Sequence, residues 1–416
     1  MTKPERASHR PSASAIVRRR ALLIGILTLS APLHALASEG PTAIRTRMQR
    51  AVQDGELPGA VVLFIHRGDI VFEEAYGYAD REAKRDQRVD DIFNMASTSK
   101  PEAMTTIMTL VADGKISLDE PASKWFPILG RQKLADGTPV KRSPTVREMM
   151  SHTSGMFANN CARSRDQFRL LYMFNGTLAS SAKALSEEPF AYQPGEDFCY
   201  CGPSMQVMGR AIELVTGKDF DVVATDRILA PLGMKDTFWR TGRDVSDRLS
   251  VIYNKSPEGL VRSQVNRGPR PDGFILVPGG LFSTARDLAR FLRMHLEGGE
   301  LDGQRVLPEK LVVEMRTNQI GAFKPTFGDP SSGRRDSATI GDADGYGLGW
   351  ILGEIGTDGA ARVFSHGGAW GTYIWGDVEA QLGAVLLTQI PLPEASPVWN
   401  DIVPIARATW RGPGSE

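Results

Sequence analysis

The chain is poor in the side chains that most often hold metal ions: its 416 residues include only six histidines and three cysteines. No histidine belongs to an H-E-x-x-H segment, and His66, His152, His295 and His366 have no other spacing typical of metal ligands. We therefore expect neither a metal site nor a cofactor.

The chain also lacks an excess of charge of either sign, because Lys and Arg together number 49, as do Asp and Glu. Balanced charge gives no electrostatic reason to bind nucleic acid or an anionic membrane surface. Hydrophobic residues make up 41% of the chain, which is enough for a large core. We expect a folded protein with a substantial core, and the sequence gives no indication of its oligomeric state.

Long hydrophobic runs are missing as well. The apolar run from Ala21 to about Ala31 is too short to cross a bilayer comfortably. It follows the cluster Arg18-Arg19-Arg20 and precedes the small-x-small site Ala35-Leu36-Ala37, a pattern typical of a cleaved leader. We predict a signal peptide over residues 1–37, a mature chain over 38–416 without a stable membrane span, and export to the periplasm or the medium. The arginine pair leaves both the Sec and the twin-arginine routes open.

Export changes the interpretation of the cysteines, since disulfides persist in oxidising compartments. Cys161, Cys199 and Cys201 are an odd number, so one disulfide and one free thiol are expected. A bond from Cys161 to either Cys199 or Cys201 would close a loop worth roughly 3–4 kcal/mol in the chain-entropy model.

Strand patterns lie at both ends of the chain. Residues 60–65 and 70–72 predict a strand pair, and four more strands are expected at 346–352, 362–365, 371–378 and 384–388. The middle carries helical patterns, including the capping box Thr145-Val146-Arg147-Glu148. This order favours an α+β fold: a central antiparallel sheet built from both ends, flanked by helices, with an inserted helical lobe at roughly 115–265. Residues 328–344, rich in Gly, Asp and Ser, predict a surface loop.

The segment Ser97-Thr98-Ser99-Lys100 places a hydroxyl nucleophile and an amine base one helical turn apart. It precedes the helical stripe Met104, Ile107, Met108 and Val111, so partial positive charge at the helix N-terminus could assist an oxyanion. Ser180-Ser181-Ala182-Lys183 repeats the spacing, but its polar flanks indicate a solvated helix surface. Ser97 and Lys100 are therefore the candidate catalytic pair.

Two later segments offer further candidates. Tyr200, between Cys199 and Cys201, could relay a proton from a loop, or it could be a core tyrosine with a satisfied hydroxyl. His366-Gly367-Gly368 could let a substrate approach a strand closely, or it could be a plain strand edge. The oxyanion motif of α/β-hydrolases is excluded here because the chain contains no G-x-S-x-G. Phe157, Phe168, Tyr172 and Phe174 could line an acyl pocket or belong to the core of the lobe.

The ordered set Ser97-x-x-Lys100, Tyr200 and His366-Gly367-Gly368 resembles the serine β-lactamase and penicillin-binding-protein superfamily, specifically its class C-like branch. Further segments match that branch: Leu57-Pro58-Gly59-Ala60, Ser151-His152-Thr153-Ser154-Gly155, Gly279-Gly280-Leu281-Phe282-Ser283-Thr284 and Tyr346-Gly347-Leu348-Gly349-Trp350. The resemblance implies a β-lactamase/transpeptidase-like fold with a sheet of five to seven strands.

The resemblance also implies an acyl-enzyme mechanism. Ser97 would attack a carbonyl, Lys100 and Tyr200 would handle its proton, and the amides of Ser97 and Ala369 would bind the oxyanion. Gly202, Gly368 and Ala369 would contact the substrate. Gly202 stands where lactamases and peptidases have an Asn, and His366 stands where many have a Lys, so the lactamase interpretation is weakened.

These features favour an exported serine hydrolase that acts on carboxylic esters or related small acyl substrates. The alternatives are a β-lactamase or D-amino-acid peptidase using the same site, and a non-catalytic module that binds peptidoglycan-like ligands.

Overall fold

The computed structural model describes residues 33–157, 170, 176–264, 268–269, 273–325, 327 and 343–411, with side chains given from Glu39 onward. The leader as far as residue 32, and with it most of the predicted signal peptide, lies outside the described residues. So do Cys161, the aromatic residues Phe168, Tyr172 and Phe174, and most of the predicted loop at 328–344.

The described strands are β1 (Gly59–His66), β2 (Asp69–Asp80), β3 (Arg85–Asp86), β4 (Phe93–Asn94), β5 (Tyr253–Ser256), β6 (Gly259–Arg262), β7 (Phe282–Ser283), β8 (Glu300–Leu301), β9 (Gln304–Arg305), β10 (Gly345–Tyr346), β11 (Ile351–Ile355), β12 (Ala361–Gly367), β13 (Tyr373–Asp377) and β14 (Leu382–Thr388). The described α-helices are α1 (Leu33–Gln53), α2 (Lys100–Ala112), α3 (Val146–Met150), α4 (Leu178–Glu187), α5 (Gly202–Thr216), α6 (Phe220–Ala224), α7 (Ala285–Leu296), α8 (Glu309–Met315) and α9 (Leu392–Trp410).

An antiparallel sheet of eight strands joins the two ends of the chain, in the order β10-β11-β12-β13-β14-β1-β2-β3. The central pairing is between β1 and β14, with Ala60 opposite Thr388 and His66 opposite Leu382. The predicted α+β fold and its antiparallel sheet are confirmed. The sheet exceeds the expected five to seven strands because the two-residue strands β3 and β10 extend its edges.

Both faces of this sheet are covered. Ala60, Val62 and Phe64 of β1 belong to a core shared with the terminal helices α1 and α9. The alternating residues Val61, Leu63 and Ile65 belong to a larger core that includes α7 and the helices of the middle region. Successive side chains of a strand point to opposite faces, so a strand buried on both sides reads as a continuous apolar run.

The middle of the chain differs from the sequence analysis in two respects. Helix α2 is buried around almost its whole circumference, including Thr105, Thr106 and Thr109, rather than along one apolar stripe. The region predicted as a helical lobe also contains the hairpin of β5 and β6, whose turn ends at Gly259 with φ of +117°. Along the described part of the chain, no helix combines the length and the apolar character that a membrane crossing requires.

Candidate active site

Ser97 lies at a sharp turn between strand β4 and helix α2. Ala96 has a left-handed φ of +46°, and its amide donates to Asn94 Oδ1 at 3.0 Å. A short 3₁₀ helix, Ala96–Ser99, then leads directly into α2, whose first residue is Lys100. Ser97 is partly exposed whereas Thr98, Ser99 and Lys100 are buried. The turn therefore presents only the Ser97 hydroxyl at the surface of the site.

Lys100 contacts the candidate nucleophile directly. Its Nζ lies 2.8 Å from Ser97 Oγ and donates a second hydrogen bond to the carbonyl of Pro278 at 3.0 Å. Among the described residues, no carboxylate is in hydrogen-bond contact with this side chain, and burial lowers the pKa of Lys100 from 10.5 to about 7. An amine with this pKa is partly neutral near pH 7, as a general base must be.

The turn that carries Ser97 is fastened to the strand pair β12–β13. Thr372 Oγ1 donates to the Met95 carbonyl at 2.8 Å and lies 3.0 Å from Thr98 Oγ1. A Cβ on Gly368 would lie 2.1 Å from the Met95 carbonyl oxygen. Gly368 was expected to make room for a substrate; here the missing side chain makes room for the protein's own backbone. Its exposed neighbour Ala369 is thereby held beside the nucleophile turn.

Tyr200 lies beside Lys100, whose Nζ is 4.7 Å from the centre of the tyrosine ring. The ring packs against His152 at 4.6 Å, Phe327 at 5.3 Å and His366 at 6.2 Å, measured between ring centroids. Ser97, Lys100, Tyr200 and His366, which are far apart in sequence, are thus brought together in one site.

His366 is fully buried in this cluster. Its Nδ1 is 2.9 Å from the Gly367 carbonyl, and its Nε2 is 3.4 Å from the hydroxyl of Tyr346. Burial, followed by the nearby Lys100, lowers the pKa of His366 to about 3. The imidazole is therefore neutral at physiological pH and supplies no fixed positive charge.

Gly202 lies at the start of helix α5 and lines a narrow cleft together with Pro278, the residue whose carbonyl binds Lys100. The rest of the lining is mostly apolar: Leu170, Leu185, Phe274 and Leu276, with Ser181 and Gln206. Phe157, one of the residues considered for an acyl pocket, is instead buried in the main core. Cys201 caps helix α5 as a free, buried thiol.

Three groups at the site had no role predicted from the sequence. The Pro278 carbonyl orients Lys100, Tyr346 contacts His366, and His152 contacts Tyr200. Tyr346 and His152 lay within segments noted for their resemblance, so that signal was available. A main-chain carbonyl carries no such signal, because every residue has one.

A serine hydroxyl beside a buried amine of lowered pKa, mounted on this sheet-and-helix scaffold, defines a serine hydrolase that works by acyl transfer. The chain belongs to the β-lactamase family: the family model described as Beta-lactamase matches residues 44–403.

Its relatives include both esterases and penicillin-binding proteins. The chain is 27% identical over 354 residues to Esterase EstB of Burkholderia gladioli, covering 79% of this chain and 83% of the esterase. It is 26% identical over 396 residues to Penicillin-binding protein 4 of Amycolatopsis lactamdurans, covering 90% and 96% of the two chains. Among solved structures, EstCE1, described as a hydrolase with promiscuous acyltransferase activity, superposes with a TM-score of 0.76 at 21% identity, covering 90% of this chain and all of that one.

Proposed function

We propose that this protein is an exported serine hydrolase that cleaves carboxylic esters or related small acyl substrates through an acyl-enzyme on Ser97. The observation that carries the proposal is the 2.8 Å contact between Ser97 Oγ and the Nζ of the buried Lys100. With its pKa near 7, neutral Lys100 accepts the hydroxyl proton as Ser97 Oγ forms a bond to the substrate carbonyl carbon.

The remaining groups have the following roles in this proposal. The amides of Ser97 and Ala369 bind the oxyanion, supported by the fastening of Gly368 against the nucleophile turn. Tyr200, packed against Lys100, relays the proton to the departing alkoxide as the carbon–oxygen bond of the ester breaks. Water then attacks the acyl-enzyme and releases the carboxylic acid and free Ser97. His366 is a neutral wall of the site.

Two features favour esters over lactams. The neutral, buried His366 offers no permanent charge to a lactam carboxylate. Gly202, two residues after Tyr200, has no side chain that could donate a hydrogen bond to a substrate amide. A site without that donor loses the discrimination that a hydrogen bond to an amide provides. The likeness to Esterase EstB supports the same choice, while that to Penicillin-binding protein 4 keeps lactam and peptide substrates as the alternative.

The experiment compares short-chain p-nitrophenyl esters with a chromogenic cephalosporin, using the mature protein and Ser97→Ala. We expect ester turnover that Ser97→Ala abolishes, and a fluorophosphonate label on Ser97. Efficient cephalosporin hydrolysis with negligible ester turnover would replace the esterase proposal with the lactamase alternative. Turnover of neither substrate, with no label, would leave the non-catalytic binding module.

Export is supported by the position of Pro41, which lies inside helix α1. A proline in a helix interior removes a backbone hydrogen bond, whereas the first turn has no such bond to lose. Cleavage after Ala37 would leave Pro41 in the first turn of the mature helix. N-terminal sequencing of exported protein should therefore begin near Ser38, and an intact leader would contradict this.

For the predicted disulfide, we propose Cys161 to Cys199. The Cys201 sulfur already contacts the Phe157 carbonyl and the Ser204 amide, each at 3.4 Å, and caps helix α5. Non-reducing peptide mapping should find Cys161 linked to Cys199 and one free thiol at Cys201. Three free thiols in exported protein would refute the pairing.

A further inference from the structure

His152 belongs to the same site, and within the described part of the chain it makes no hydrogen bond to Ser97 or Lys100. It follows the C-cap of the short helix α3, is fully buried and has a left-handed φ of +65°. Non-glycine residues seldom adopt this conformation, and residues held in it are concentrated at functional sites. The backbone conformation of His152 does not by itself indicate a role. The hydrogen bonds that His152 makes do indicate one.

Those hydrogen bonds lie on both sides of Tyr200. The amide of Cys199 donates to the main-chain carbonyl of His152 at 2.9 Å, and the amide of Cys201 donates to the imidazole Nδ1 at 2.8 Å. One residue thus holds the peptide groups before and after the tyrosine. The rest of the Tyr200 backbone segment can shift little while both hydrogen bonds are in place.

The imidazole also supports the tyrosine ring. Its centroid is 4.6 Å from that of Tyr200 and 4.6 Å from that of Tyr346, so it fills the space between the two phenols. Because Nδ1 accepts a hydrogen bond, the ring must be the neutral Nε2–H tautomer. Burial, then the neighbouring Lys100 and His366, lower the pKa of His152 well below its ordinary value, which preserves that acceptor.

We propose that His152 is a positioning residue for Tyr200: its carbonyl and Nδ1 hold the amides of Cys199 and Cys201 and thereby fix the phenol beside Lys100. This inference rests on the proposed role of Tyr200 as proton relay. A displacement of about 1 Å in a reacting group can cost about 100-fold in rate. The rate should therefore depend on His152, although it acts through Tyr200 and not directly on the reacting atoms.

Two substitutions separate the functions of the side chain. His152→Phe keeps an aromatic ring but removes the acceptor for the Cys201 amide. His152→Asn removes the ring but can place Oδ1 near the position of Nδ1, and asparagine tolerates a left-handed φ. With a p-nitrophenyl ester we expect His152→Phe to lower kcat about 30- to 100-fold with KM within about threefold, and His152→Asn to retain kcat within about fivefold.

The matched control is His295→Phe. His295 is also fully buried, with Nε2 3.3 Å from Thr105 Oγ1, but it packs in the core against Phe291 and Trp350. The substitution His295→Phe should lower Tm without changing kcat more than about twofold. A merely structural role for His152 would give the same result as this control.

The decisive test is a double-mutant cycle with Tyr200→Phe. Tyr200→Phe alone should lower kcat by about 100-fold or more. If His152 acts through the tyrosine, adding His152→Phe to Tyr200→Phe should change kcat less than about twofold. Should His152→Phe fail to fold by circular dichroism, His152→Gln, whose amide cannot reach the Nδ1 position, takes its place in the cycle.

Three outcomes would each overturn the inference. The losses of His152→Phe and Tyr200→Phe could multiply in the double variant, or His152→Phe alone could lower kcat less than about threefold. The third is an equal loss in His152→Asn and His152→Phe. Normal turnover by Tyr200→Phe would overturn both this inference and the proposed relay. A loss in Tyr200→Phe without one in His152→Phe would overturn only the role of His152.

Discussion

The two Ser-x-x-Lys segments have the same spacing and opposite environments. At Ser97, the serine begins a turn above a buried lysine whose Nζ lies 2.8 Å from Oγ and 3.0 Å from a main-chain carbonyl. At Ser180, the hydroxyl accepts a hydrogen bond from the Thr177 amide at 2.9 Å, completing the capping box of helix α4. The side chain of Lys183 is 73% exposed and forms an ion pair with Glu187 at 2.6 Å.

This difference shows what a shared helix spacing leaves open. Residues three apart lie on one face of a helix, but that face can be turned toward the core or toward water. Toward the core, desolvation disfavours the ammonium and makes the amine a base. Toward water, the ammonium is solvated and the pair only contributes to the helix surface. The second segment confirms the expected solvated helix surface.

The largest expected effect separates the two serines. Ser97→Ala should lower kcat/KM for a nitrophenyl ester by about 10⁴-fold or more, because the covalent bond can no longer form. Ser180→Ala should leave it within about twofold. Steady-state kinetics give kcat/KM for both variants. A comparable loss of kcat/KM in the two would contradict the assignment of Ser97 as the nucleophile.

Replacing each of the two lysines should have different effects on activity and on stability. At Lys100 the replacement should lower activity but raise stability. Lys100→Met should lower kcat/KM about 10³-fold because the base is gone. It should also raise the free energy of unfolding near pH 7 by on the order of a few kcal/mol, since a buried amine with pKa about 7 is replaced by an apolar chain. Urea unfolding measures the second effect, and a destabilised variant would contradict it.

Lys183→Met is the matched control. Its exposed ion pair with Glu187 should contribute less than about 0.5 kcal/mol, and the variant should hydrolyse esters at the normal rate.

The pH dependence of the rate should reflect the ionisation of Lys100 and not that of Lys183. The folded-state pKa of Lys100 is about 7, so the neutral base is lost as pH falls below that value. We expect kcat/KM to fall about tenfold per pH unit below 7 and to level off above it. Lys183→Met should give the same profile, and a rate independent of pH between 5 and 8 would rule out Lys100 as the base.

The smallest expected effect concerns the helix that carries the second segment. Thr177 is the N-cap of α4 and its hydroxyl accepts from the Ser180 amide at 3.1 Å. Thr177→Ala should lower the free energy of unfolding by about 1 kcal/mol without changing kcat, while Thr177→Ser should restore stability. A loss of activity in folded Thr177→Ala would connect this helix to catalysis.

The sequence predicted those strands well that are buried on both faces of the sheet, as β1 is. It also predicted the first residue of a helix where a capping residue is present. The predicted capping box of Thr145 and Glu148 is found in the structure. These signals are local: they need only neighbours in the chain. Together with the order of the strand and helix patterns along the chain, they were sufficient for the fold class.

Helix α9 was not predicted because Pro397 and Pro404 interrupt its pattern. Val398, Trp399 and Ile402 bury an apolar face against the sheet and helix α1, and this packing outweighs the hydrogen bonds that proline removes. His152 was missed for a related reason: its carbonyl and Nδ1 act on amides about fifty residues further along the chain, a relation that no local pattern records.

The sequence alone determined the chemistry that is available: a serine and a lysine one turn apart, twice, with a tyrosine and a histidine in a family-like order. The tertiary structure decided which pair could react. It buried Lys100, supplied a carbonyl from Pro278, 178 residues away, and left Lys183 in water. The physical reason is that the basicity of an amine depends on its solvation and contacts, which the folded chain fixes and the spacing of letters does not.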